Sequence, residues 1–157
     1  MTREEKFMKE AISLSEKGVR ENEGGPFGCI IVKDNKIIGR GHNKVISTND
    51  PTAHAEVIAI REACKNLGTF QLDGCEIYTS CEPCPMCLGA IYWARAQIIY
   101  YANTRHDAAE IGFDDSIIYD EIKKNLNKRK IPAINIGRKE ARKVFKEWSE
   151  KKDKERY

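Results

Sequence analysis

The chain has no long apolar runs. Its apolar stretches are short, such as Ile30-Ile31-Val32 and Ile98 to Ala102, well below the roughly 20 residues a helix needs to cross a bilayer. The first residues, Met1-Thr2-Arg3-Glu4-Glu5, are charged and run straight into a helical pattern, with no apolar signal region. These two absences predict a cytoplasmic protein with no membrane partner. Histidine is scarce as well: His42, His54 and His106 are the only three, and His42 and His106 carry no ligand-like spacing. No internal repeat and no low-complexity linker interrupts the sequence, which excludes solenoids and bead-on-string arrays.

Neither charge sign dominates. Lys and Arg number 27 against 24 Asp and Glu, for a net charge of +3, and 41% of residues are hydrophobic with 32% charged. That mixture is ordinary for a globular protein and too apolar for a disordered one. A length of 157 residues suits a single domain that buries roughly 70% of the surface its unfolded chain exposes. The near-zero balance conceals an asymmetry. Residues 123–157 hold 14 Lys and Arg against 5 Asp and Glu, an excess of +9, whereas residues 1–122 hold 13 against 19, a balance of −6. Acidic residues are interspersed in the basic tail, as in Lys146-Glu147. It therefore reads as a solvated helix face, or a surface that pairs with the acidic body, ahead of an RNA contact.

Cysteine, by contrast, is plentiful. Six cysteines in a short chain can signal disulfides, but without a secretory signal that reading is weak. Cys81, Cys84 and Cys87 also crowd into seven residues beside prolines, which favours metal binding.

Periodicity predicts an α/β domain. Phe7, Ala11, Leu14 and Val19 give one apolar face to a helix from Arg3 to Glu21. Gly24-Gly25-Pro26 breaks it. Phe27–Val32 and Lys36–His42 read as hairpin strands around an Asp34-Asn35 turn. A second helix is expected to start at Asn49-Asp50-Pro51, with Asp50 as cap, and to end at Gly68. Strands at Glu76–Thr79 and Ile98–Tyr101 flank a helix from Pro85 to Ala94, an alternation that implies parallel pairing. Two further helices are expected at Asp115–Leu126 and Lys139–Trp148. The predicted architecture is a three-layer sandwich, a central mixed β-sheet flanked by helices.

The chemistry concentrates at two predicted helix starts, Pro51-Thr52-Ala53-His54-Ala55-Glu56 and Cys81-Glu82-Pro83-Cys84-Pro85-Met86-Cys87. Cys84 and Cys87, three residues apart, face the same way on a helix. The positive end of the helix dipole there favours the thiolates that zinc needs. Taken alone, the pair could equally be two buried thiols or a redox couple. His54 supplies a third ligand and no fourth is evident, which describes a catalytic rather than a structural zinc site. Zinc with two thiolates and one imidazole is net neutral and can acidify a bound water toward neutral pH. Glu56, two residues from His54, is within reach of such a water; elsewhere it would read as a surface carboxylate.

His54-Ala55-Glu56 together with Pro83-Cys84-Pro85-Met86-Cys87 resembles the cytidine deaminase superfamily. The resemblance implies His54, Cys84 and Cys87 as zinc ligands, Glu56 as a proton shuttle, and two motif helices side by side against a sheet. Within that superfamily the chain is most similar to bacterial guanine deaminases. That similarity is carried by Gly24-Gly25-Pro26-Phe27-Gly28, Asn49 to Glu56, Tyr78 to Arg95 and Ala108 to Ser116, and it returns at Tyr157. The Gly112-Phe113-Asp114-Asp115-Ser116 stretch discriminates it from tRNA adenosine deaminases.

Guanine presents N1–H and an exocyclic amine as a donor edge, which a carboxylate can accept at two points. Asp115 is assigned this role and Asp114 is the alternative, although either could simply cap the next helix. Phe27 resembles the residue that stacks on the base, and Asn43 the amide that holds it; the plain readings are a core aromatic and a turn residue. The backbone N–H of Ala55 or Cys84 could also bind substrate, and Trp93 is assigned to the same pocket.

The implied reaction converts guanine to xanthine and ammonia. The resemblance further implies a homodimer in which the segment from about residue 123 to 157 crosses to the partner. Tyr157 would then act as a lid over the partner's pocket, with Trp148 in support. A tRNA adenosine deaminase and a cytosine or cytidine deaminase remain alternatives on the same zinc site. A zinc-stabilised binding module is opposed by the open fourth position and by Glu56.

Overall fold

A computed structural model describes residues 1–157, which divide into two compact units, Met1–Asp115 and Ser116–Tyr157. The first unit contains the sheet. Helix α1 (Arg3–Arg20) is started by a capping box in which Thr2 and Glu5 satisfy each other's backbone N–H. Strands β1 (Gly28–Lys33) and β2 (Lys36–His42) form an antiparallel hairpin. Asp34 and Asn35 join them, both at positive φ (48° and 61°). That is the type I′ geometry whose twist suits a two-residue hairpin, adopted here by two residues that tolerate it.

Strand β3 (Glu76–Cys81) pairs antiparallel with β1. Strand β4 (Ile98–Asn103) pairs parallel with β3, after α4 (Pro85–Ala94). The sheet order is β2-β1-β3-β4, the mixed sheet that the alternation of elements predicted. Alternation along the strands separates two cores. Ile30, Val32 and Tyr78 pack with Ala11, Phe7 and Leu14 of α1. Cys29, Ile31 and Ile77 pack on the opposite face with Ala55, Ala59 and Ala63 of α3 (Ala55–Leu67) and Ile91 and Ala94 of α4. Each fully buried Ile or Val contributes roughly 1.5–3 kcal/mol.

Helix α3 lies close on β2. A Cβ built at Gly41 would come within 2.2 Å of the Ala55 carbonyl, and one at Gly39 within 2.4 Å of the Ala59 carbonyl. Bare glycine backbone on the sheet thus fixes how near the start of α3 can come.

The second helix does not begin where its sequence suggested. Asp50 forms a turn instead, accepting from the backbone and hydroxyl of Thr52, and α3 starts only at Ala55 with His54 at its N-cap. Asp50 caps its own local turn two residues on, as Asp side chains readily do, and the chain stays irregular until His54. Two short helices were also unforeseen, α2 (Val45–Thr48) and α5 (Arg105–Glu110). The second unit holds α6 (Ser116–Lys123), a 3-10 turn at Leu126–Lys128 and α7 (Arg138–Glu150). No residue in it is buried, and Ile131, Ile134 and Ile136 are 84%, 84% and 89% exposed. No helix in the chain is long and apolar enough to cross a membrane.

Candidate metal centre and active site

Helices α3 and α4 present their N-termini to one point. His54 occupies the N-cap of α3 and Cys84 the N-cap of α4, both in extended conformation. Pro85 fills the first turn of α4, where a missing N–H costs nothing. Cys84 therefore sits at the helix mouth rather than within a turn, and Cys87 lies one turn in, on the buried side. His54 Nδ1 lies 3.5 Å from Cys84 Sγ and 3.4 Å from Cys87 Sγ, and the three ligand atoms all fall within 4.8 Å of one another.

These spacings fit zinc. Ligands at about 2.3 Å for sulfur and about 2.0 Å for nitrogen, set tetrahedrally, stand roughly 3.5 Å apart. The electrostatics also fit. The Cys84 thiol is pulled down to about 4, chiefly by the S–H of Cys87 donating to it, with the His54 ring adding to the effect against the cost of burial. Cys87 is correspondingly raised, because it keeps the proton it shares with Cys84 and because it is buried. His54 is raised by its hydrogen bond to Cys84. One sulfur is thus already anionic, and a cation displaces the remaining proton.

Glu56 lies in the first turn of α3 and is 6% exposed. Burial raises its carboxyl above the usual range, with the Cys87 S–H and its own backbone N–H working against that. A carboxyl raised by desolvation next to an acidified water is suited to taking up and releasing a proton. Its other side-chain partner is the buried Thr79 hydroxyl, at 3.3 Å.

The pocket candidates fall into two groups. Around the metal centre, Ala55 is fully buried as the first residue of α3. Asn43, just beyond β2, is 5% exposed. Its Oδ1 accepts from the backbone N–H of Gly25 (3.3 Å) and of Val45 (3.1 Å), so its amide N–H groups are the end available to a ligand. A side chain at Gly24 would collide with that Oδ1, at 2.1 Å. Phe27 lies immediately before β1 rather than in it. Its ring meets Phe113 edge-on with centroids 5.0 Å apart. Asp115 is raised by burial and then by the negative field of Cys84, whereas Asp114 is exposed.

The remaining candidates are not brought to that centre within the first unit. Trp93 is 65% exposed, six residues after Cys87, which is about 9 Å along α4. Tyr157 and Trp148 belong to the second unit and are 69% and 45% exposed.

Two contributors escaped sequence reasoning. Strand alternation could have put Thr79 beneath α3, but nothing pointed to Glu56 as its partner. Phe113 stood beside the two aspartates without any sign that it meets Phe27.

Residues 1–103 match the model of the cytidine and deoxycytidylate deaminase zinc-binding region. The chain belongs to this deaminase family. It is 55% identical over 153 residues to the guanine deaminase of Bacillus subtilis, covering 98% of both chains. The crystal structure of guanine deaminase from Bacillus subtilis superposes with a TM-score of 0.95 over 98% of each chain. The tRNA-specific adenosine deaminase of Aquifex aeolicus is 43% identical over 98 residues, which cover 62% of this chain and 64% of that one. The zinc-binding deaminase family accounts for the His54, Cys84 and Cys87 cluster, and the mixed sheet with flanking helices is the cytidine deaminase-like fold.

Proposed function

We propose that the protein is a zinc-dependent guanine deaminase that converts guanine and water to xanthine and ammonia, with His54, Cys84 and Cys87 holding the metal. The observation that carries the reading is the convergence of His54 Nδ1 on both sulfurs at 3.4 and 3.5 Å with Glu56 buried beside them. A zinc ion held by these three residues would supply a water acidified toward neutrality as the nucleophile. Glu56 carries one proton of the attacking water to a ring nitrogen, where it stays, and then a second from the new C2 hydroxyl to the departing amine. The C2–O bond forms and the C2–N bond breaks, and every proton lost by water is returned to the products. Phe27 stacks on the base, the Asn43 amide donates to it, the Ala55 N–H adds a further contact, and Asp115, with Asp114 as the alternative, accepts from its donor edge.

Guanine is favoured over a tRNA adenosine by the extent of likeness. The tRNA-specific adenosine deaminases align with 62% to 84% of this chain at 43% to 37% identity, whereas the guanine deaminase aligns with 98% of it at 55%. The C-terminal segment, from about residue 123 to 157, swaps onto a partner subunit, where Tyr157 closes the pocket and Trp93 completes it. Support comes from a second unit with no buried residue and three isoleucines more than 80% exposed, an apolar surface of the kind that marks an interface.

Zinc-loaded protein offered guanine, adenine, cytosine, cytidine and tRNA is expected to release ammonia from guanine. Release from tRNA alone overturns the substrate reading. The same assay on a chain lacking its last five residues is expected to show impaired guanine turnover; unchanged kinetics removes Tyr157 as a lid.

A further inference from the structure

We propose that Thr79 is a positioning residue for the proton transfer, aligning the Glu56 carboxyl through its buried hydroxyl. Thr79 lies in β3 opposite Cys29 of β1, on the same face as Ile77, so its side chain points at α3 and α4 rather than at α1. It is 1% exposed, with Oγ1 3.3 Å from Glu56 Oε1 and 3.0 Å from the Cys81 carbonyl. A hydroxyl carries one hydrogen and two acceptor lone pairs. Its single hydrogen lies between the Glu56 carboxyl and the Cys81 carbonyl, so the hydroxyl ties the Glu56 carboxyl to the backbone of β3.

The Thr79 hydroxyl is a hydrogen-bond partner of the Glu56 carboxyl that does not itself belong to the metal cluster. Its branched side chain is stiff about χ1, and the strand that carries it also delivers Cys81 to the loop before Cys84. The hydroxyl is thus held to the same frame as the metal ligands. The inference rests on Glu56 being the proton carrier.

Thr79→Ala and Thr79→Ser both lack the methyl group and differ only in the hydroxyl. Thr79→Ala is expected to lower kcat by about tenfold to a hundredfold, the scale of a small misplacement at a reacting group, with KM and zinc content close to those of the parent. Thr79→Ser is expected to recover most of that loss. The infrared band of the Glu56 carboxyl, isolated by subtracting the spectrum of Glu56→Gln, should shift in Thr79→Ala and return in Thr79→Ser. Parent-like kcat in Thr79→Ala overturns the proposal, as does equal loss in both variants, since the hydroxyl would then contribute nothing beyond packing. Turnover retained in Glu56→Gln removes the shuttle reading and this proposal with it. An inactive Glu56→Gln beside a fully active Thr79→Ala removes this proposal alone.

Discussion

Helices α1 and α5 begin with Thr2 and Thr104, each of which closes a reciprocal capping box with an acidic residue three positions on. Helices α3 and α4 begin with His54 and Cys84, and neither side chain makes a capping hydrogen bond. An N-cap is where Ser, Thr, Asp or Asn usually stabilises a helix by about 1 kcal/mol. At α3 and α4 that position is given to groups that face each other instead. The uncapped N–H groups and dipoles of both helices are left pointing at the same point, where they favour thiolate, carboxylate and an anionic nucleophile. The starts of α2 (Lys44) and α7 (Gly137) also lack a side-chain cap, so what marks the site is that the uncapped starts of α3 and α4 carry side chains that meet.

Substituting His54 by Asn breaks the comparison most severely. It is expected to abolish guanine turnover and most zinc retention, because two sulfurs alone do not make the site. In zinc-free protein, however, the same change should raise unfolding free energy by about 1 kcal/mol, since Asn caps α3 where His54 does not. Denaturant melts of the two zinc-free proteins decide this; no gain means that the His54 position sacrifices nothing. At the small end, Thr2→Ala should cost about 1 kcal/mol through loss of the α1 capping box, with guanine kinetics and zinc content unchanged. A fall in turnover from Thr2→Ala would mean that α1 is coupled to the site and that the two kinds of helix start are not independent.

Much of this organisation was legible in the sequence, for reasons that differ by element. The hairpin around Asp34-Asn35 and the strand–helix–strand from Glu76 to Asn103 were readable because their signals are local: a turn pair between apolar runs, and Pro85 opening an apolar helix. The ligand spacing was readable because His54-Ala55-Glu56 and Cys84-Pro85-Met86-Cys87 keep their chemistry within a few residues. The start of α3 was misread because Asp50-Pro51 resembles a cap followed by a first-turn proline, and a cap and an Asx turn use the same side-chain hydrogen bonds. Helices α2 and α5 have four and six residues, too few for periodicity to register. Thr79 and Phe113 were illegible as site residues because their partners, Glu56 and Phe27, are distant in sequence. Pairings of that kind are set by the tertiary fold.

Zinc content and guanine turnover measured together in Glu56→Gln test the central claim most directly. The account predicts protein with parent-like zinc at His54, Cys84 and Cys87 and ammonia release from guanine reduced by about a hundredfold or more. A fully zinc-loaded Glu56→Gln protein that deaminates guanine at close to the parent rate would contradict it.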